Sequence, residues 1–220
     1  MSNQKKYIAF FDLDHTILND SSGSLLGIPA FVNKIFKRRY FIEAVLLSLG
    51  YKLEFIDPQV ISSRMTQWLK GQTEQKIVEF MNTMFGKLIK PAIRLHARRE
   101  IEFHKNNNAL TVILSASIEQ ICEPVRQYLG FDDMICSSLE VHQGLFTGLP
   151  HGRYCYGEEK LTRSLQFCAD NNLVLNNAWF YTDSYSDLPM LNAVENPICV
   201  SPDRLLRRYA RQVGWKISNW

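Results

Sequence analysis

The segment that most constrains this chain is Phe10-Phe11-Asp12-Leu13-Asp14-His15-Thr16-Ile17-Leu18. An apolar run, Tyr7 to Phe11, stops at two carboxylates one residue apart. A short aromatic and β-branched run bounded by polar residues reads as a buried strand. Open parallel sheets bind ligands beyond the carboxyl ends of their strands. If the run is a central parallel strand, Asp12 stands at such a place. Two acids there can divide labour: one attacks or binds metal while the other moves protons. Asp-x-Asp-x-Thr taken alone serves equally well as a polar strand end capping a helix, so the rest of the chain has to decide.

Far downstream, Trp179-Phe180-Tyr181-Thr182-Asp183-Ser184-Tyr185-Ser186-Asp187-Leu188-Pro189-Met190 is a second apolar run ending in two acids, here four apart. Between the two lie Val112-Ile113-Leu114-Ser115, a strand ending in a hydroxyl, and Gly157-Glu158-Glu159-Lys160, a lysine near a helix start. In this order the set resembles the motifs of the haloacid dehalogenase (HAD) superfamily of phosphohydrolases. It is most similar to subfamily IB, which contains phosphoserine phosphatase. The resemblance covers nearly the whole chain. It departs at the last motif, where Thr182-Asp183-Ser184-Tyr185-Ser186-Asp187 stands in place of Gly-Asp-Gly-x-Asn-Asp: both acids stay and both glycines are gone.

The spacing of the motifs divides the chain. About a hundred residues separate Asp14 from Ser115, far more than one crossover needs. Residues 20–90 show helical pattern without strand alternation. Pro29 fits the first turn of a helix from Ala30 to Arg38. Tyr40 to Tyr51 reads as a second helix, and Asp57-Pro58 caps a third toward Leu69. Gly71 breaks that one, Thr73 caps a fourth, and Gly86 ends it. The reading is a four-helix cap over 20–90, between core segments 1–19 and 91–220.

The remainder alternates strand and helix: a helix from Pro91 to about Lys105, strand Leu110–Leu114, helix Ile118–Leu129 ended by Gly130, and strand Met134–Ser137. A hairpin turns at Gln143-Gly144, between Leu139–His142 and Leu145–Thr147. Helix Glu158–Asp170, strand Ala178–Thr182, helix Asp187–Val194, strand Ile198–Val200 and helix Pro202–Val213 follow. The fold class is therefore α/β: a Rossmann-like parallel sheet covered by helices on both faces, with a small all-helical cap inserted after the first strand.

At 220 residues, 46% apolar and 21% charged, the chain has the makings of an ordinary globular protein. A net charge of +3, with no zinc-finger spacing or basic tract, argues against nucleic acid. Five scattered cysteines without a Cys-x-x-Cys read as reduced, buried thiols in a cytoplasmic protein. The apolar run after Lys5 and Lys6 is too short for a signal peptide and is needed for the first strand. Nothing in the sequence sets the oligomeric state.

The resemblance assigns roles that the chemistry supports. Asp12 is the expected nucleophile, giving an aspartyl-phosphate. Asp14 protonates the leaving oxygen and then activates water; its presence favours a phosphatase over the dehalogenases and transport ATPases of the superfamily. Asp12, Asp183 and the backbone carbonyl of Asp14 would hold Mg²⁺. Lys160 and Ser115 bind the phosphoryl group, and Asp187 stands behind them, through water or by orienting Lys160. Thr16 shapes the loop. His15 and Arg153 have no assigned part, and Arg204, Arg207, Arg208 and Arg211 read as a solvated face opposite Leu205, Leu206, Tyr209 and Val213.

The expected partner is a small phosphate monoester. The family's amine-binding Glu after the first motif is replaced by Ser21, with Asp20 beside it, so an amine-bearing phosphate is retained without being restricted to phosphoserine. Two further readings compete. A lipid phosphate phosphatase at a membrane surface, resembling those acting on phosphatidylglycerophosphate, would use Lys34, Lys37, Arg38 and Arg39 beside the apolar Tyr40–Tyr51 segment. A buried cap helix accounts better for that segment. A non-catalytic binding protein is opposed by the intact acid set.

Overall fold

The computed structural model of the protein describes residues 5–35, 40, 64 and 66–220. Lys37, Arg38, Arg39, the helix expected over Tyr40–Tyr51 (Tyr40 itself apart) and the Asp57-Pro58 cap lie outside the described residues. The centre of the molecule is β1 (Ile8–Phe11), all four residues of which are fully buried. It is flanked by β2 (Leu110–Ile118) and β6 (Trp179–Thr182), and the sheet order is β3-β2-β1-β6-β7-β8, every pairing parallel. Here β3 is Asp133–Ser137, β7 Asn196–Val200 and β8 Lys216–Ser218. The chain winds outward from β1 in both directions, so the crevice of this doubly wound sheet opens at the carboxyl ends of β1 and β6.

The strand period of two sorts the core into two layers. Ala9, Phe11, Ile113, Tyr181 and Ile198 face one side, against Ala97 and Ile101 of α3 (Leu95–Asn106) and Val125 of α4 (Glu119–Leu129). Ile8, Phe10, Val112, Phe180 and Cys199 face the other, against Cys168 of α5 (Glu158–Asp170), Leu191 of α6 (Leu188–Asn192) and Leu206 of α7 (Arg204–Val213). Each buried Phe stabilises by about 1.5–3 kcal/mol. Gly130 and Gly214 end α4 and α7 with φ of 65° and 76°, the left-handed closure that glycine adopts without a Cβ penalty. All five cysteines are buried and unpaired.

Several local expectations are corrected. The first helix of the inserted segment, α1, is Ser22–Val32, not Ala30–Arg38, and Pro29 sits inside it. Ser21 is its N-cap, its Oγ accepting from Ser24 N at 3.1 Å; a Ser/Gly-rich start reads as loop until that cap forms. Thr73 caps α2 (Glu74–Met84) as expected, but the chain passes through Gly86 in a wide helical turn, Phe85–Ile89, rather than ending there. Helix α3 starts at Leu95, not Pro91, because Ile93 and Arg94 are extended. Ile93 forms an antiparallel bridge to Leu18, Asn19 N donates to Ala92 O at 2.9 Å, and Arg94 N to Ile17 O at 2.9 Å. Residues 17–19 and 92–94, on either side of the segment between β1 and β2, are thus hydrogen-bonded to one another. Strand β2 runs past Ser115 to Ile118, with a register shift after Leu114. On α7, Leu205 and Val213 are exposed alongside the arginines rather than packed opposite them. The hairpin β4 (Leu139–His142) and β5 (Leu145–Pro150) docks on the inserted segment, Gly71 N donating to Phe146 O at 2.8 Å and Phe146 N to Gln72 O at 3.0 Å.

Beside the core, His104 is fully buried between two tyrosines, with Tyr7 Oη 2.8 Å from Nδ1 and Tyr181 Oη 2.8 Å from Nε2. Tyr181 donates to Glu100 Oε2 at 2.9 Å, so its oxygen must accept from His104, which places the imidazole proton on Nε2 and leaves Nδ1 to accept from Tyr7. A second ring proton would displace the Tyr7 donation to Nδ1 and charge a buried ring, and burial lowers the His104 pKa to about 4 from the usual 6.5. The unfolded chain therefore binds this proton more readily than the native one. The stability conferred is fully present above pH 6.5 and is lost as pH falls toward 4, by about 3 kcal/mol at the limit. Urea midpoints of wild type and His104→Gln, taken at pH 7.5 and 4.5, should converge on acidification; a pH-independent gap would contradict the neutral ring.

Candidate active site

The sheet aligns the motif residues by register. Phe11 pairs with Ile113 on one side and Tyr181 on the other, so Asp12, Ser115 and Asp183 emerge at nearly one level where the three strands end or bend. Asp12 N donates to Tyr181 O at 2.9 Å, continuing the ladder one residue past β1. Beyond it the chain makes a wide turn, Leu13–Ile17, closed by Leu18 N to Leu13 O at 2.9 Å. His15 takes φ of 56° in this turn. Its N–H reaches Asp20 O at 3.3 Å and its carbonyl accepts from Arg94 Nη2 at 3.2 Å.

Lys160, in the first turn of α5, is 3% exposed. Its ammonium donates to Asp12 Oδ1 and to Asp187 Oδ2, both at 2.8 Å. Thr182 Oγ1 donates to the same Asp187 oxygen at 2.6 Å. Asp187 Oδ1 is buried without a hydrogen-bond partner. Thr182 and Ser184 occupy the positions of the absent glycines. Ser184 N donates to Thr182 Oγ1 at 3.3 Å, and Ser184 Oγ accepts from Ser186 N at 3.3 Å. Asp203 pins the loop from α7: its N–H donates to Asp183 O at 2.8 Å and its Oδ2 accepts from Tyr185 N at 2.7 Å.

Asp14 lies apart from the lysine. Its Oδ1 accepts from Ser22 N at 2.8 Å, and its Oδ2 from the hydroxyls of Ser22 and Ser117, each at 3.1 Å. Ser115 is 1% exposed, and its Oγ accepts from Ser117 N at 3.2 Å. Sequence reading missed Ser22, Ser117, Thr182, Asp203 and Arg94 as members of this neighbourhood. Ser117 had a signal, a second hydroxyl two residues after Ser115, but Ser22 in a Ser/Gly-rich stretch had none. Thr16 is buried and its hydroxyl has no partner, consistent with a packed loop residue.

The electrostatics are unbalanced toward negative charge. Burial pushes the Asp12 carboxyl up, Lys160 pulls it down, and Asp187 and Asp14 push it up again. Asp183 is raised well above the usual carboxylate range by burial, then by Asp12 and Asp187. Lys160 is held firmly charged: burial opposes this, but Asp12 and Asp187 outweigh it. Among the described residues no three His, Cys, Asp or Glu side chains converge as a ligand set; the set expected from the sequence has two carboxylates and one backbone carbonyl. Hard oxygen donors, surplus negative charge and the orphaned Asp187 oxygen together suit a small divalent cation that keeps several waters.

With this geometry in place, comparison with known proteins gives the class. Residues 9–192 match the haloacid dehalogenase-like hydrolase family, and the chain belongs to it. It is 30% identical over 212 residues to a Mycobacterium tuberculosis protein named a probable phosphatase, covering 95% of this chain and 74% of that one. It is 27% identical to a protein of Neisseria meningitidis named histidinol-phosphatase, over 98% of this chain and 99% of that one. Its fold is that of a phosphoserine phosphatase solved as a phospho-aspartyl intermediate analogue, with TM-score 0.72 at 16% identity, over 97% and 93% of the two chains. The protein is a phosphatase, a phosphoric monoester hydrolase of this family. Among the described residues no helix is long and apolar enough to cross a membrane.

Replacing Lys160 by Met should leave buried acids without their counter-charge, costing about 3–5 kcal/mol at pH 8. Carboxyls raised in the folded state bind protons that the unfolded chain does not, so their penalty is relieved as pH falls. The melting-temperature deficit of Lys160→Met should therefore shrink between pH 8 and pH 5.5. An unchanged deficit would show that packing, not charge, is what the lysine contributes.

Proposed function

We propose that the protein is a Mg²⁺-dependent phosphomonoester hydrolase that works through an aspartyl-phosphate on Asp12, and that its substrates are small amino-alcohol phosphates. The observation that carries the reading is the Asp12–Lys160 contact of 2.8 Å at the end of β1, with Asp14 two residues on and outside the lysine's reach. One acid is paired with a cation and aimed as a nucleophile. The other is held by neutral donors and is free to exchange a proton.

In the first step an Asp12 oxygen forms a bond to phosphorus, the ester P–O bond breaks, and Asp14 delivers its proton to the departing alkoxide. In the second, water attacks phosphorus, the bond to Asp12 breaks, and Asp14 takes the water proton, returning both acids to their starting states. Lys160 draws the phosphoryl oxygens toward Asp12 and offsets charge there, and Ser115 and the neighbouring backbone N–H groups bind the remaining oxygens. Asp187 keeps Lys160 in place through their 2.8 Å contact. Asp12, Asp183 and the Asp14 carbonyl would hold Mg²⁺, which when bound neutralises phosphate charge that Lys160 alone cannot. Residues 20–90 would form the cap that covers the site and selects the substrate.

The substrate class rests on two things. The relative named histidinol-phosphatase aligns along nearly the whole of both chains, and Asp20, beside Ser21, keeps a carboxylate shortly after the first motif that an amine could meet. The lipid reading rests on Lys34, Lys37, Arg38 and Arg39 beside the Tyr40–Tyr51 segment; Lys34 is exposed, and the other three basic residues lie outside the described residues.

Phosphate release from a panel of histidinol phosphate, phosphoserine, p-nitrophenyl phosphate and a phosphatidylglycerophosphate vesicle tests both. Turnover of the first three with Mg²⁺, lost in EDTA and lost by at least ~10³-fold in Asp12→Asn, is expected. Full activity in chelator sinks the metal assignment, near-normal turnover by Asp12→Asn sinks the covalent route, and a preference for the vesicle replaces the substrate class. Sedimentation with anionic vesicles, abolished by changing Lys37, Arg38 and Arg39 together to Glu, would likewise favour the lipid.

A further inference from the structure

Asp14 is gripped from two sides. Ser22, the first residue of α1, supplies its backbone N–H to Oδ1 and its hydroxyl to Oδ2, and Ser117, at the far end of β2, supplies a second hydroxyl to Oδ2. The two hydroxyl oxygens are themselves 3.1 Å apart, so they and Oδ2 form a nearly equilateral triangle. Neither serine is loosely placed. Ser117 is tied back through its N–H to the buried Ser115 Oγ, and Ser22 is fixed by the capped first turn of α1.

A carboxylate in a loop ordinarily turns to whichever water is nearest. Here three neutral donors, one from backbone and two from side chains, fix both of its torsions without adding charge. Proton transfer is sensitive to such aim, since the acid must lie within hydrogen-bond reach of the leaving oxygen at the moment its bond breaks. We propose that Ser22 and Ser117 are positioning residues that aim Asp14 at the leaving oxygen, and that through Ser22 the first helix of the inserted segment takes part in setting that aim. The proposal rests on the proton-transfer role of Asp14 given above. It adds that the hydroxyl pair, one partner from the core and one from the inserted segment, is what makes that role effective.

The test uses leaving groups of graded need for a proton: phenyl, p-nitrophenyl and 2,4-dinitrophenyl phosphate. The measured quantity is kcat/KM, which reports steps up to release of the phenol and is blind to later hydrolysis of the aspartyl-phosphate. The Ser22→Ala/Ser117→Ala double variant should lose about tenfold or more on phenyl phosphate and less than about threefold on dinitrophenyl phosphate. Asp14→Asn should show the same split more strongly, and Ser117→Thr, which restores a hydroxyl, should return the wild-type dependence. A split in Asp14→Asn with none in the double variant, or a uniform loss across the series in the double variant, overturns the positioning role. No split in Asp14→Asn itself overturns the acid assignment instead. If the double variant does not fold, Ser117→Ala alone carries the same comparison, with the same two outcomes.

Discussion

The site depends on one buried ammonium. Lys160 is drawn out of water between Asp12 and Asp187, and its desolvation is offset by two short charge-assisted bonds. The lysine is tied to acids that follow two different strands, so it fixes α5 against the carboxyl ends of β1 and β6. The carboxylates outnumber it. That surplus is unfavourable for the isolated fold, and burial and like charge raise Asp12 and Asp183 together.

The loop after β6 shows how a changed motif keeps its geometry. Glycines in the related motif allow tight backbone; here Thr182 and Ser184 use hydroxyls to bond within the loop, and Asp203 reaches across from the start of α7. Thr182 does two jobs, accepting from Ser184 N and donating to Asp187. The loop is thus held by side-chain hydrogen bonds where glycine would rely on backbone freedom.

Residues 92–94 lie against the turn that follows β1. Leu18 bridges to Ile93, Arg94 N–H reaches Ile17 O, and the Arg94 guanidinium donates to the carbonyls of His15 and Leu18. The left-handed residue His15 therefore links the turn that carries Asp14 to the segment that returns at Arg94. Ser22 grips Asp14 a few residues beyond. The acid-bearing turn and the segment between β1 and β2 are adjacent because that segment follows the first strand so closely.

What the sequence determined was what local pattern and residue chemistry can specify. The buried runs at Ile8–Phe11 and Trp179–Thr182, the capped helix at Glu74 and the helix Glu158–Asp170 each follow from hydrophobic period and end signals within a few residues. The acids, hydroxyl and lysine were legible because their types and order resemble a known set. Elements without such signals were not. Helix α1 begins in Ser-Ser-Gly-Ser and contains Pro29, and the edge strand β8 exists because β7 offers it a ladder. The tertiary structure alone decided which side chains meet across long separations: Lys160 with Asp12, 148 residues apart, and Ser117 with Asp14, 103 apart. Those contacts depend on strand register and on where the insertion rejoins the core. Both arise from packing of the whole chain, which no local segment encodes.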